Sequence, residues 1–291
     1  MDVIGGNDNF FSQNNIGICI NANGKDVRFL GVETFADLHF TGDTKCLLLY
    51  RYDANGNRID NITDWGLEQF SNHYKDKKIK KEDIFHYTYA VFHNPAYRKK
   101  YELNLRREFP RLPFYNNFWK WAKWGKALMN LHINYEKANP FPLKEHNYEV
   151  KAEAKRQKEI LSKVEEPEPM FGKKPRVKVK LKADKETGII EIDELAFLTG
   201  VPKEAWEYKL GNRSALEWIL DQYKEKKPSD PTIVEKFNTY RFADYKEPVI
   251  DLLKKVCTVS VETMQIVGDM EKENKTPAAN NRLEKGGRAV Q

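Results

Sequence analysis

The chain has 291 residues, 40% of them apolar and 12% aromatic, enough for one large domain or two modest ones around a real core. Its 32% charged fraction and mean hydropathy of -0.73 predict an extensively solvated surface, and no run of about 18 apolar residues is present to span a membrane. The net charge is only +6, but the cations are clustered, and clustering matters more than the total when the partner is a polyanion.

Met1 to Phe11, rich in Asn and Gly, has neither a basic n-region nor an apolar h-region and does not read as a signal peptide. Three strands are predicted next. Ile16 to Ile20 alternates apolar with small residues, Asp26 to Val32 is a second candidate, and Cys46 to Tyr52 a third, with turn signals at Asn23-Gly24 and Asn55-Gly56. Four helices follow: Asp64 to Tyr74 behind a cap at Thr63, Lys81 to Phe92, Pro95 to Glu108, and Asn116 to Tyr135. A charged helical segment from Glu149 to Val164 leads into Glu165-Glu166-Pro167-Glu168-Pro169, a linker or exposed loop. From Arg176 to Asp193, apolar Val177, Val179 and Leu181 alternate with Lys178, Lys180 and Lys182 before a turn and Ile189 to Ile192. That is a hairpin with one apolar and one cationic face. Helices are predicted at about Pro202 to Tyr208, Ser214 to Lys224, Tyr245 to Val256 and Ser260 to Asp269, with a polar tail from Glu271. The fold class expected is therefore α+β and mainly helical: a small N-terminal β region, a helical array, a central basic hairpin and a second helical subregion.

No catalytic centre emerges. Asn94-Pro95-Ala96-Tyr97 is one residue away from the Asn/Asp-Pro-Pro-aromatic loop with which amino-methyltransferases hold an exocyclic amine. That loop should follow a strand, with a glycine-rich cofactor turn upstream. Here helical stripes lie on both sides, so Asn94 as helix cap and Pro95 at the first helical position account for the pair. The P-loop pattern, GxSxG and GxGxxG are absent, and no Pro-Asp dipeptide exists to open a PD…(D/E)xK nuclease site. His86 and His93 share a helical face without a third ligand at metal spacing. Cys19, Cys46 and Cys257 lack CxxC spacing and fit reduced core thiols of a cytosolic protein.

Three basic clusters remain. Arg98, Lys99, Lys100, Arg106, Arg107 and Arg111 flank Tyr97 and Tyr101, Lys120 and Lys123 interleave with Trp119, Trp121 and Trp124, and Lys173, Lys174, Arg176, Lys178, Lys180 and Lys182 form an acid-free run. Such residues neutralise phosphates and position a protein on a duplex, although charge runs are ordinarily solvated faces and tryptophans at helical spacing are ordinarily core.

The wording of the chain adds a resemblance. FADLHFTGDTKCLLLYRYD (35 to 53), ITDWGLEQF (62 to 70), the stretch from DIFHYTYAVFHNPAYRKKYELNLRREF to LMNLHINYE (83 to 136) and WEYKLGNRSALEWILDQYKEKK through to VSVETMQIV (206 to 267) resemble the C-terminal specificity region of type ISP restriction-modification enzymes. The likeness runs from about residue 16 to 268. Members of that family join a nuclease, a helicase-like ATPase, an N6-adenine methyltransferase and a target-recognition region in one polypeptide. The resemblance implies a region that reads double-stranded DNA for a phage-defence system and docks to a methyltransferase/helicase-nuclease partner in the cytoplasm. S-adenosylmethionine, ATP and Mg are expected only in catalytic parts upstream, so this chain would be a separate specificity component or the product of a truncated gene. On this reading residues 1–148 and 177–270 are two parts of the recognition domain, 149–176 is a charged helix and Pro-rich linker, and 271–291 a disordered tail.

The phosphate contacts expected are Lys99, Lys100, Arg106, Arg107, Lys178, Lys180 and Lys182. For base edges, Asn212-Arg213-Ser214 behind Gly211 supplies the donors that adenine and guanine require. The competing reading is that Asn212 or Ser214 caps the following helix and Arg213 bonds to protein. Two rival functions stay open: a complete adenine methyltransferase, and a module whose basic faces meet an acidic or DNA-mimic protein.

Overall fold

The computed structural model describes residues 15–21, 27–33, 36, 44–148, 177–225 and 240–275. They form an α+β protein of two compact units. One holds the described residues up to Tyr135 with Leu210–Asn212 and those from Glu262 on; the other holds Glu136–Lys209 and Arg213–Val261.

The first unit opens with an antiparallel sheet in the order β2-β1-β3, made of Arg28–Val32 (β2), Gly17–Asn21 (β1) and Lys45–Leu48 (β3). As the central strand β1 is buried along its whole length, which explains why apolar residues fill both of its faces. The third expected strand divides in two: after β3 the chain turns at Leu49, and Tyr50–Tyr52 (β4) pairs instead with Arg58–Asp60 (β5). Helix α1 (Asp64–Tyr74) starts where predicted, because the Thr63 hydroxyl accepts from the Gly66 N–H at 3.1 Å.

Helices α2 (Lys81–His93) and α5 (Phe118–Ile133) form the centre of this unit. Nine of the thirteen residues of α2 are buried, so it behaves as a core helix enclosed on most sides. Its close approach to α5 depends on Gly125: a Cβ there would lie 1.7 Å from the His86 carbonyl oxygen. Around this crossing Tyr87 stacks on Phe118, Tyr115 stacks on Trp121, and Phe70 meets Tyr87 edge-on. Each large side chain so buried contributes about 1.5–3 kcal/mol.

A buried polar chain crosses the same interior. The Gly31 N–H donates to the Tyr89 hydroxyl (2.8 Å), which donates to His132 Nδ1 (2.6 Å). With Nδ1 accepting, Nε2 carries the proton and donates to Thr263 Oγ1 (2.9 Å). His93 Nδ1 donates to the Tyr89 carbonyl (2.8 Å). Both imidazoles are therefore neutral. Burial pulls His93 down to about 4 and His132 well below its ordinary value.

The expected helix from Pro95 to Glu108 is two short pieces, α3 (Pro95–Lys100) and α4 (Glu102–Leu105), parted at Tyr101. Tyr97 and Leu105 are the only residues of these pieces buried in the core, too few anchors to hold one long helix against its ends.

The second unit is built on an antiparallel sheet in the order β6-β9-β8-β7: Lys144–Asn147, Ala196–Thr199, Ile189–Asp193 and Val179–Asp184. Strand β6, which the sequence reading assigned to the N-terminal part, pairs with β9 and so belongs here. The predicted hairpin is β7-β8, closed by Gly188 at φ +68°, where a Cβ would meet the Val201 carbonyl oxygen at 2.5 Å. The expected helix from Pro202 to Tyr208 is only a 3-10 turn, Lys203–Trp206. A two-residue hairpin, Lys209–Leu210 (β10) with Arg213–Ser214 (β11), precedes α6 (Ala215–Gln222).

The two predicted C-terminal helices are one helix, α7 (Lys246–Lys275), which also takes up the start of the expected tail. Cys257 to Ser260 carries β-branched and hydroxyl residues that read as a break. In the fold Ser260 Oγ donates to the Val256 carbonyl at 2.7 Å and Cys257, Val259 and Ser260 are buried, so packing overrides local preference. The charged segment 149–164, its Pro-rich continuation and 276–291 lie outside the described residues.

Candidate nucleic-acid interface

The expected contact residues divide into exposed cations and cations already engaged. Lys99 and Lys100 end α3, and Arg106 and Arg107 follow α4, so all four stand on one 13-residue edge that buries only Tyr97 and Leu105. Lys99, Lys100 and Arg107 are exposed, with no acidic partner among the described residues. Arg106 is paired with Glu102 one turn back, and Arg111 with Glu108 at 3.4 Å. Arg98, the first cation of the cluster, holds the fold together: its guanidinium donates to the Val27 carbonyl at 2.7 Å and lies 5.9 Å from the Phe29 ring.

The same edge exposes Leu103 and Phe109, and the Lys45 ammonium lies 5.1 Å from the Phe109 ring. The sequence reading missed both. Phe109 sits between Glu108 and Pro110 outside any periodic stripe, and its place ahead of a proline was the only signal it offered.

On the hairpin the alternation is broken. A bulge between Val179 and Lys182, with Leu181 at φ +41°, reverses the strand's faces. Leu181 is buried and Lys182 exposed as expected, but Lys180 turns to its neighbour strand, 2.8 Å from Glu191 and 5.6 Å from the Tyr148 ring. Glu191 raises the Lys180 ammonium above its ordinary value. Lys178 and Lys182 are thus exposed on either side of the bulge and on opposite faces of the strand, with Lys180 committed across the sheet; Lys173, Lys174 and Arg176 lie outside the described residues.

The Trp-Lys cluster on α5 is divided between core and surface: Trp119, Lys120 and Lys123 are exposed and only Trp121 is buried. Trp119 donates to Asp76 Oδ2 at 2.9 Å, and Lys120 is held by Glu273 at 2.6 Å. Asn94 is wholly buried. Its side-chain oxygen accepts from the Ala96 N–H and from Asn274, and its amide donates to the Tyr115 hydroxyl, so neither lone pair is left to accept from the amine of a flipped base.

At the short hairpin the two readings separate by residue. Ser214, 0% exposed, accepts from the Glu217 N–H in a capping box, which corrects its place among base contacts: the hydroxyl is enclosed. Arg213 is half-exposed, 2.9 Å from Asp221 and 5.4 Å from the Trp218 ring. Asn212 is exposed at the turn beside Gly211 at φ +76°.

A family model of the type ISP C-terminal specificity domain matches residues 7–252. The chain belongs to this family. Among solved structures, one described as a cryoEM structure of a DrdV–DNA complex is 46% identical with a TM-score of 0.74, covering 92% of this chain and 25% of that one. A nuclease-deletion mutant of the type ISP restriction-modification enzyme LlaGI, in complex with a DNA substrate mimic, is 26% identical with a TM-score of 0.61 over 89% of this chain and 21% of that one. The ATP-dependent type ISP enzyme LlaBIII, bound to DNA, shares the fold at 24% identity and a TM-score of 0.63 over 89% of this chain and 16% of that one. The type ISP specificity domain described here therefore spans about a quarter of the DrdV chain. A comparison with curated proteins finds no match. No helix among the described residues is long and apolar enough to cross a membrane.

Proposed function

We propose that this type ISP specificity domain reads a short double-stranded DNA sequence for a restriction-modification system, in the cytoplasm, and delivers it to a methyltransferase/helicase-nuclease that supplies the chemistry. The observation that carries the reading is the 46% identity, over 92% of the chain, to a protein solved in complex with DNA. The exposed cations support it. Lys99, Lys100, Arg107, Lys178 and Lys182 are exposed and have no carboxylate partner among the described residues, which suits phosphate contact through counterion release. Arg106 and Lys180 join them by exchanging a carboxylate for a phosphate.

Asn212 and Arg213 are the proposed base readers. Asn212 is exposed at a tight turn, and Arg213 is presented by Asp221 and Trp218 in a fixed orientation, which favours a bidentate contact with guanine. Duplexes selected by the purified chain from a random library would supply the preferred sequence. Arg213→Ala is then expected to weaken binding to that sequence by about 1–3 kcal/mol and to leave a scrambled duplex unchanged. Equal losses on both would make Arg213 a phosphate contact. Absence of any sequence preference at low ionic strength would overturn the function itself.

A further inference from the structure

Cys19 on β1 and Cys46 on β3 are direct cross-strand partners, with their sulfurs 3.7 Å apart. The parity of the ladder fixes which kind of pair they form. The Leu49 N–H donates to the Ile16 carbonyl, so the pairs 16/49, 18/47 and 20/45 are hydrogen-bonded and 17/48 and 19/46 are not. At a non-hydrogen-bonded antiparallel position the Cα atoms stand about 4.5 Å apart, the near end of the range a disulfide spans. Gly17 makes room beside the pair, since Cys46 Sγ lies 3.0 Å from where a Gly17 Cβ would be.

We propose that Cys19 and Cys46 are a modification site: a dithiol that hydrogen peroxide converts to a disulfide clamping β1 to β3. The roles follow from burial. Cys46 is half-exposed and meets the oxidant, whereas Cys19, 1% exposed, is reached only by its neighbour. The S–H of Cys19 points to Cys46 and lowers that thiol to about 7, assisted by the Ala36 N–H; the same hydrogen bond raises the Cys19 thiol. The Cys46 thiolate attacks peroxide, breaking the O–O bond, forming sulfenic acid and releasing hydroxide. The Cys19 sulfur then attacks the Cys46 sulfur, the S–O bond breaks, and the Cys19 proton leaves with the departing oxygen as water. In sum two thiols and one peroxide give one disulfide and two waters. The clamp fastens the strand end that carries Lys45, whose ammonium lies over Phe109.

The test treats the 291-residue chain with hydrogen peroxide, alkylates it under denaturing conditions and maps the peptides. Three free thiols should fall to one, with the peptides of Cys19 and Cys46 joined within one molecule and Cys257 alkylated. Cys257 is the internal control, because burial raises its thiol to about 12. The thermal midpoint should rise on oxidation and return with dithiothreitol. In Cys19→Ser, Cys46 should stop at sulfenic acid, trapped by a 1,3-dione reagent; in Cys46→Ser, Cys19 should stay a thiol. Three thiols surviving treatment, links between molecules only, or a bridge through Cys257 would each overturn the proposal. None of these readouts involves DNA, so they stand apart from the recognition reading.

Discussion

The two units differ in whether they bury charge. The first unit buries polar side chains as neutral groups: Asn94, His93, His132 and Thr263 all lie inside, each hydrogen-bonded to a neutral partner. The second unit buries a carboxylate, Asp193, and both units carry ion pairs nearer the surface. In the second, Lys246 meets Asp193, Lys185 meets Glu217, Arg213 meets Asp221, Lys180 meets Glu191, and Lys254 meets Glu145. The difference teaches where to look for a polyanion site. Many cations of the second unit are occupied in holding it together, while on the α3–α4 edge of the first Lys99, Lys100 and Arg107 have no carboxylate partner among the described residues.

The sharpest way to break the picture of a dry, neutral interior in the first unit is Gly125→Ala. Alanine gains about 1 kcal/mol in helix propensity over glycine, but its Cβ would fall 1.7 Å from a backbone oxygen that has nowhere to go. The clash wins, and denaturant unfolding should show a net loss of about 3 kcal/mol or more. Gly268→Ala on α7, where a Cβ would meet nothing within 4 Å, should show only the gain. A tolerated Gly125→Ala would mean that α2 and α5 do not cross as closely as described.

The next largest effect is acid sensitivity. The folded state holds His93 and His132 neutral, and the unfolded chain takes up protons near 6.5. Their contribution is therefore whole above about pH 6.5 and is lost as pH falls toward about 4. For His93 alone the loss amounts to about 3 kcal/mol. Unfolding curves at pH 7, 5.5 and 4.5, compared with those of His93→Phe, would check it: the variant should lose less stability with acid.

How much of this was legible depended on whether the cause was local. Thr63 and Asn94 announced their helices because a cap is decided within four residues, and Asn-Pro at a helix start was enough to set aside the reading of Asn94 to Tyr97 as a base-binding loop. The long α7 was not legible, since Cys257 to Ser260 favours a break until tertiary burial is known. Nor was the fate of Lys180. Alternation placed it with Lys178 and Lys182, whereas a bulge at Leu181, set by the partner strand, turned it toward Glu191. At the candidate site, composition found the exposed cations but could not tell them from Arg98 and Lys120, whose partners Val27 and Glu273 are far along the chain.

The buried charge of the second unit is tested by Asp193→Ala. This carboxylate is buried; it accepts from the Leu195 and Ala196 N–H groups and lies 2.8 Å from the Lys246 ammonium. Its removal leaves two donors and a cation unanswered, an expected cost of about 3 kcal/mol. Asp193→Asn keeps the acceptor and loses the charge, so it should cost less. Equal losses in the two variants would mean that the accepted hydrogen bonds add nothing beyond the charge, and no loss in Asp193→Asn would mean that the charge contributes nothing.

The smallest effect on stability should accompany the largest on binding. Lys99→Ala, Lys100→Ala and Arg107→Ala remove exposed cations with no acidic partner among the described residues, so the triple variant should unfold within about 0.5 kcal/mol of the parent. If these side chains face phosphates, each released counterion contributes about 0.9 to the slope of log K against log salt. The triple variant should then bind with a slope shallower by up to about 2.7. The loss should be the same on preferred and scrambled duplexes, because phosphates carry no sequence. Lys178→Ala with Lys182→Ala makes the parallel measurement on the second unit, where the slope should change by up to about 1.8. An unchanged slope in the first variant with a changed one in the second would move the phosphate track from the α3–α4 edge to the hairpin, and the contrast between paired and unpaired cations would no longer mark the site.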